Sequence, residues 1–238
     1  MTLKFTEESI QNLVDQDGWW LQDSSKTISR GRLIQAYAVH VDQIPNRLLP
    51  AGRTEATVHT EGLFEIGPFR YGDKRSNTSL PVAALPVYPN EEFLVLRAKR
   101  RPLLVIADNS IEVDKKLIQG KPKYQTAPTV IVAPYYGKDE GTGARSGYTD
   151  DFVARVRQCE YPQFFWDKLP LPGVNESILR FDHIQPIGSH YNTYDITEYR
   201  LSDDALMVMD EWLAWYVYET LDTEGLLACA MQALQQSP

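Results

Sequence analysis

Cysteine is nearly absent from this 238-residue chain, which holds only Cys159 and Cys229. That scarcity excludes a disulfide framework and any cysteine-rich zinc module. Both thiols are expected to be plain buried side chains, as free cysteine commonly is. Histidine is also scarce: His40, His59, His183 and His190 form no HExxH pair, so neither a metal nor a cofactor is expected. The glycine patterns GxxxxGK[ST], GxGxxG and GxSxG are missing, which removes support for a phosphate cradle or a nucleophile elbow. Long hydrophobic runs are missing too. Leu103 to Ala107 and Val130 to Pro134 fall far short of the roughly 20 apolar residues of a membrane-spanning helix. The opening MTLKFTEESIQNLVDQ lacks a basic stretch followed by an apolar block, so a cytoplasmic location away from membranes is expected.

What is present is the composition of a folded domain, with 43% hydrophobic and 24% charged residues. A chain this long buries about 70–75% of the surface its unfolded form exposes, enough for a core without staples. The net charge is −8, a field that repels nucleic acid as a whole. Yet the segment from Arg97 to Lys123 is basic. Arg97, Lys99, Arg100, Arg101, Lys115, Lys116, Lys121 and Lys123 there face only Asp108, Glu112 and Asp114.

Patterning predicts a short helix over Thr6 to Asp15, with Thr6 as its cap. Trp19 and Trp20 then lead into a polar loop. A strand is expected from Ile28 toward Pro45, followed by an elaborated connection at about 46–92. Within that connection ATVHTEGLFEIGPF contains a short strand-like pattern, and Pro81, Pro86 and Pro89 forbid a helix interior. EFLVLRA and RPLLVIAD read as strands bracketing AKRR, and TVIVAPYY as a buried strand. YTDDFVARVRQCEYPQFFWDKLP reads as helical up to Pro162, SILRFDHIQPIG as a strand, and SHYNTYD as a loop. Ser202 caps a long helix whose first turn holds Asp203 and Asp204. These paired acids, like Asp150 and Asp151, read as helix starts or solvated surface. His183 and His190 read as hydrogen-bonded loop or strand histidines. The order implies one α+β domain over residues 1–238, built on a small β-barrel, with insertions at about 46–92 and 137–172.

Taken in order, Arg30-Gly31, Arg101-Pro102 with LLVIADN, TVIVAPYY, and SILRFDHIQPIG with LSDDALMVMDEWLAWYV resemble the bacterial PemK/MazF toxin family. The resemblance covers about half of the chain. It implies an SH3-like barrel with terminal helices and a metal-independent endoribonuclease that cuts RNA through its own 2′-hydroxyl. A homodimer and a neutralising antitoxin protein are implied as well. Arg101 takes the place of the family's catalytic arginine, and Tyr136 stands where a threonine or serine is usual. Arg32 replaces an acidic residue that commonly follows Arg-Gly. Arg30, Arg32, Arg97, Lys99, Arg100 and Tyr135 are the implied RNA-binding residues. The alternative is a related barrel that has lost catalysis and binds a protein or nucleic-acid partner. Trp212 and Trp215 cannot both point into one narrow helix stripe, so one of them is expected to meet a partner or an insertion.

Overall fold

Period-two alternation of apolar side chains sorts the central strands onto two faces, and each face buries its own core. The structure, a computed structural model, describes residues 3–14, 18–73, 90–108, 113–121, 128–138, 147–173, 176–190 and 192–236. The proline-bearing stretch around Pro81, Pro86 and Pro89, the loop at 139–146, Glu112 and Lys123 lie outside those residues. The chain is α+β and divides into two compact units, Met1–Ala38 with Arg100–Pro238, and Val39–Lys99.

The smaller unit takes in the segment expected as an insertion at 46–92. Its sheet has β3 (Asn46–Gly52) at the centre, flanked antiparallel by β4 (Leu63–Pro68) and β5 (Phe93–Val95). Register places Leu48 opposite Ile66 and Phe93, and Pro50 opposite Phe64, so one sheet face is apolar.

The larger unit holds an eight-stranded sheet. Its strands are β1 (Trp20–Gln22), β2 (Arg32–Val39), β6 (Ala98–Ala107), β7 (Thr129–Gly137), β8 (Phe164–Asp167), β9 (Ser177–Arg180), β10 (Gln185–Gly188) and β11 (Tyr194–Leu201). They run in the order β1-β11-β2-β6-β7-β9-β8, with β10 also on β7. The strands expected around Arg30, Arg101, Thr129 and Ile178 are therefore consecutive neighbours in one sheet. Helices α1 (Ile10–Val14), α2 (Lys115–Ile118), α3 (Asp150–Arg157), α4 (Asp203–Tyr218) and α5 (Leu226–Gln236) complete the described elements. None of the described helices is long and apolar enough to cross a membrane.

On one face, Leu33, Leu104, Ala133, Tyr135 and Leu179 pack against Val208, Met209 and Trp212 of α4 and Leu227 of α5. On the other, Ile34, Ala36, Leu103, Val105, Val132 and Ile187 form a core made of strand residues. Gly31 ties these layers together. Its N–H donates to Val105 O at 2.8 Å and its carbonyl accepts from Leu201 N at 2.9 Å. With φ at +77° and Leu206 Cδ2 lying 2.8 Å from where a Cβ would stand, only glycine fits this turn.

Ser202 caps α4 as expected, accepting from Ala205 N, and Thr149 caps α3 by accepting from Phe152 N. Several local expectations are corrected. The first helix begins at Ile10 rather than near Thr6, with Asp15 lying outside the described residues, and the Thr6 carbonyl accepts from Ser9 Oγ at 2.8 Å. The helix expected up to Pro162 ends earlier, at Arg157, because Cys159 takes a left-handed φ of 61°, and strand β8 follows with Phe165 and Trp166 buried. Residues 20–22 and 194–201 are paired strands, where loops were expected from Gln22 onward and through Asp195. The AKRR run opens β6 itself. Cys159 is buried, with its thiol pushed up to about 12 by burial, whereas Cys229 is exposed. Trp212 and Trp215 both find places within the chain. Trp212 is buried and its Nε1 donates to Pro162 O at 2.7 Å, while Trp215 packs edge-on against it at 5.3 Å.

Candidate functional site

Two strands share one edge of β7. β10 pairs with Thr129 to Val132, β9 pairs with Tyr135 to Gly137, and the 3-10 turn Phe181–His183 bridges the two. Arg180, Asp182 and His183 are thereby set beside the end of β7. On the opposite edge, Leu103 of β6 pairs with Pro134, so two residues further along each strand Arg101 and Tyr136 return to the same face.

The contacts follow from that register. The Arg101 guanidinium carbon lies 3.9 Å from the Tyr136 ring centre, a cation–π stack. Tyr136 Oη is 2.7 Å from His183 Nδ1, and His183 Nε2 is 2.7 Å from an Arg180 guanidinium nitrogen. Arg180 also donates from Nη1 to Tyr148 Oη at 3.1 Å and forks onto Asp182, with Nε to Oδ1 at 2.6 Å and Nη2 to Oδ2. Its guanidinium stands 5.5 Å from the Tyr136 ring centre and 4.9 Å from that of Phe164. Burial opposes the charge on Arg180, but its bonds to Asp182 and Tyr148 outweigh it and hold the guanidinium firmly protonated. Burial raises the Tyr148 hydroxyl above the usual tyrosine range, with the Arg180 bond and the Arg101 charge pulling the other way. His183 is buried, and Tyr136, Arg101, Arg180 and Tyr148 are half-buried. Two cations, a phenol and an imidazole therefore meet at one strand end, the donor and proton-exchange chemistry that a phosphodiester engages.

The residues implied by resemblance separate into groups. Arg101 and Tyr136 come together as just described. Tyr135 does not join them: alternation turns it to the opposite face, where it is buried and donates to Asp167 Oδ2 at 2.9 Å. Burial and the Asp167 charge raise its hydroxyl well above the ordinary range. Burial also removes Arg32 from any RNA surface. Its guanidinium is fully enclosed, paired with the Asp23 carboxylate and donating to Asp23 O at 2.9 Å and Ser25 Oγ at 2.7 Å. A backbone hydrogen bond from Ser25, with Arg32 adding to it, holds Asp23 below the usual carboxylate range. Tyr135 and Arg32 are thus structural residues.

Arg30 is exposed and pairs with Asp210 on α4. Arg100 is exposed and donates to Asp195 Oδ2 at 2.8 Å. Arg97 and Lys99 are exposed residues of the smaller unit. Sequence reasoning passed over Arg180 and Tyr148, and took His183 only for a hydrogen-bonded loop or strand histidine. The available signal was the run Arg180-Phe181-Asp182-His183, where one apolar residue anchors a turn of three ionisable ones. Comparison of the chain with protein-family models, with curated proteins and with solved structures finds no match.

Proposed function

We propose that this protein is a PemK/MazF-like, metal-independent endoribonuclease that cleaves RNA by attack of the 2′-hydroxyl on the adjacent phosphodiester. One observation carries the reading: Arg101 stacks at 3.9 Å on Tyr136, joining the two residues that the resemblance makes catalytic. In this reading Arg101 stabilises charge developing on the phosphate, through planar donors that strengthen as that charge grows. Tyr136 supplies the hydroxyl function in place of the usual threonine or serine. The contiguity of β2, β6, β7 and β9 supports a barrel of the SH3-like type. A homodimer and a neutralising antitoxin belong to the same reading, and Arg100, beside Arg101 on β6, faces the RNA.

A second reading, a catalytically inactive barrel that binds a protein or nucleic acid, is favoured by a different contact. Asp182 already closes on the Arg180 fork and offsets its charge. Incubating the full chain with mixed RNA in chelator and mapping the ends separates the two. Cuts that leave 2′,3′-cyclic phosphate and 5′-hydroxyl ends are expected. Binding without any cut would select the second reading.

A further inference from the structure

The hydrogen bonds around His183 fix which of its nitrogens carries the proton. A guanidinium has only donors, so an Arg180 nitrogen 2.7 Å from His183 Nε2 requires a lone pair on Nε2. The imidazole is then neutral, with its hydrogen on Nδ1, and that N–H donates to Tyr136 Oη at 2.7 Å. Tyr136 oxygen is an acceptor from a fixed donor, while Arg101 lies over its ring. Both contacts favour the phenolate over the phenol.

Building on the endoribonuclease reading, we propose that Tyr136 is the base that takes the 2′-hydroxyl proton, and that His183, locked in one tautomer by Arg180, is the positioning residue that prepares it. The Tyr136 phenolate oxygen removes the 2′-hydroxyl hydrogen as O2′ bonds to phosphorus. The bond from phosphorus to O5′ breaks, and O5′ takes a proton from water. The products are a 2′,3′-cyclic phosphate and a 5′-hydroxyl, and Tyr136 returns its proton to solvent.

The charged groups around this oxygen are Arg101 on β6, Arg180 at the end of β9, and Asp182 within the turn, whose Oδ2 lies 4.0 Å from His183 Nε2. Asp182 offsets Arg180, which leaves Arg101 as the cation that acts most directly on the ring. Tyr148, ahead of α3, meets Arg180. Lys138, beyond the end of β7, is held by Asp150 at 2.6 Å and Glu176 at 3.0 Å.

The test begins without RNA, on the full chain. Nitrogen NMR of the histidine rings is expected to show one histidine, lost in His183→Asn, that keeps Nδ1–H and a bare Nε2 across neutral pH. A proton on Nε2 in the unmodified protein would overturn the tautomer lock. Tyrosinate absorbance is expected to include one group titrating below the ordinary value of about 10, absent in Tyr136→Phe and shifted upward in Arg101→Gln. Superimposed titrations of the unmodified protein and Tyr136→Phe would overturn the base.

With RNA, the rising limb of kcat against pH is expected to follow the same midpoint. His183→Asn keeps an N–H donor toward Tyr136 and is expected to exceed His183→Leu in kcat by about 10- to 100-fold, the worth of a hydrogen bond to a charged oxygen. KM should match in the two variants. Equal kcat in both would remove His183 from the mechanism. A lowered tyrosinate titration with no cleavage of any RNA would overturn the ribonuclease reading and the 2′-hydroxyl as proton source. Superimposed titrations with cleavage intact would overturn the base alone.

Discussion

Tyr135 and Tyr136 are adjacent on one strand, yet they occupy opposite chemical worlds. Tyr135 faces the helix-backed core, fully enclosed, with its hydroxyl given to the buried Asp167. Tyr136 faces the strand end where Arg101, Arg180 and His183 converge. Burial and a neighbouring carboxylate hold one phenol protonated, while two guanidiniums and an imidazole lie beside the other. A single step of strand alternation thus separates a hydroxyl given to a buried carboxyl from one set among cations, and the contrast can be attacked from either side.

The largest effect is expected on the Tyr136 face. Arg101→Ala should lower RNA cleavage about 10²- to 10³-fold, as loss of one charge-stabilising donor does, with an unchanged circular dichroism spectrum. Retained cleavage would strip that face of its distinction.

On the Tyr135 face the expected effect is on stability. Burial raises the Asp167 carboxyl to about 7, against about 4 in an unfolded chain. Between those values the folded protein holds a proton that the unfolded chain has released. The contribution of this group is therefore fully present below about pH 4 and is lost as pH rises to about 7, by up to about 1.4 kcal/mol per unit. Denaturant midpoints measured across that window should lose this slope in Asp167→Asn.

Smaller again is Tyr135→Phe, which leaves Asp167 one donor short and should cost about 1–3 kcal/mol of stability. Cleavage per folded molecule should stay unchanged, the mirror image of Tyr136→Phe. If Tyr135→Phe lowered kcat with stability intact, the two faces would not be chemically separate.

The smallest effect is expected at Arg100, which is exposed and whose partner Asp195 is more exposed still. Arg100→Ala should change stability by less than about 1 kcal/mol, because such pairs contribute little. If Arg100 meets a phosphate, the slope of log affinity for RNA against log salt should fall by about one.

Much of the scaffold was legible in the chain. The apolar runs at Leu103 and Val130 announced β6 and β7, and Ser202 announced the start of α4, because burial periodicity and capping are local signals. β8 and β11 were not legible. Phe164 to Asp167 follows a helix closely and is a strand only because β9 pairs with it, a long-range cause. Half of the candidate site was legible in the same sense, since resemblance pointed to Arg101 and Tyr136. The other half was hidden because Arg180 and His183 gain their meaning from the turn that sets them beside β7, and no spacing in the sequence encodes that. The same resemblance misplaced Tyr135 and Arg32. Strand alternation decides the first, and an enclosed partner, Asp23, decides the second.

The four residues between β9 and β10, Phe181 to Ile184, are also a joint of fixed length. Both of its flanking strands are clamped on the same neighbour, so its side chains other than the buried anchor Phe181 can be exchanged like a cartridge while its residue count cannot. Adding or deleting one residue there would slide β10 out of step with β7 and carry Ile187 from the core toward water. Diversification of the chemistry at this site is thereby confined to substitution, and a library for retargeting it would randomise residues 180, 182 and 183 while leaving the length untouched.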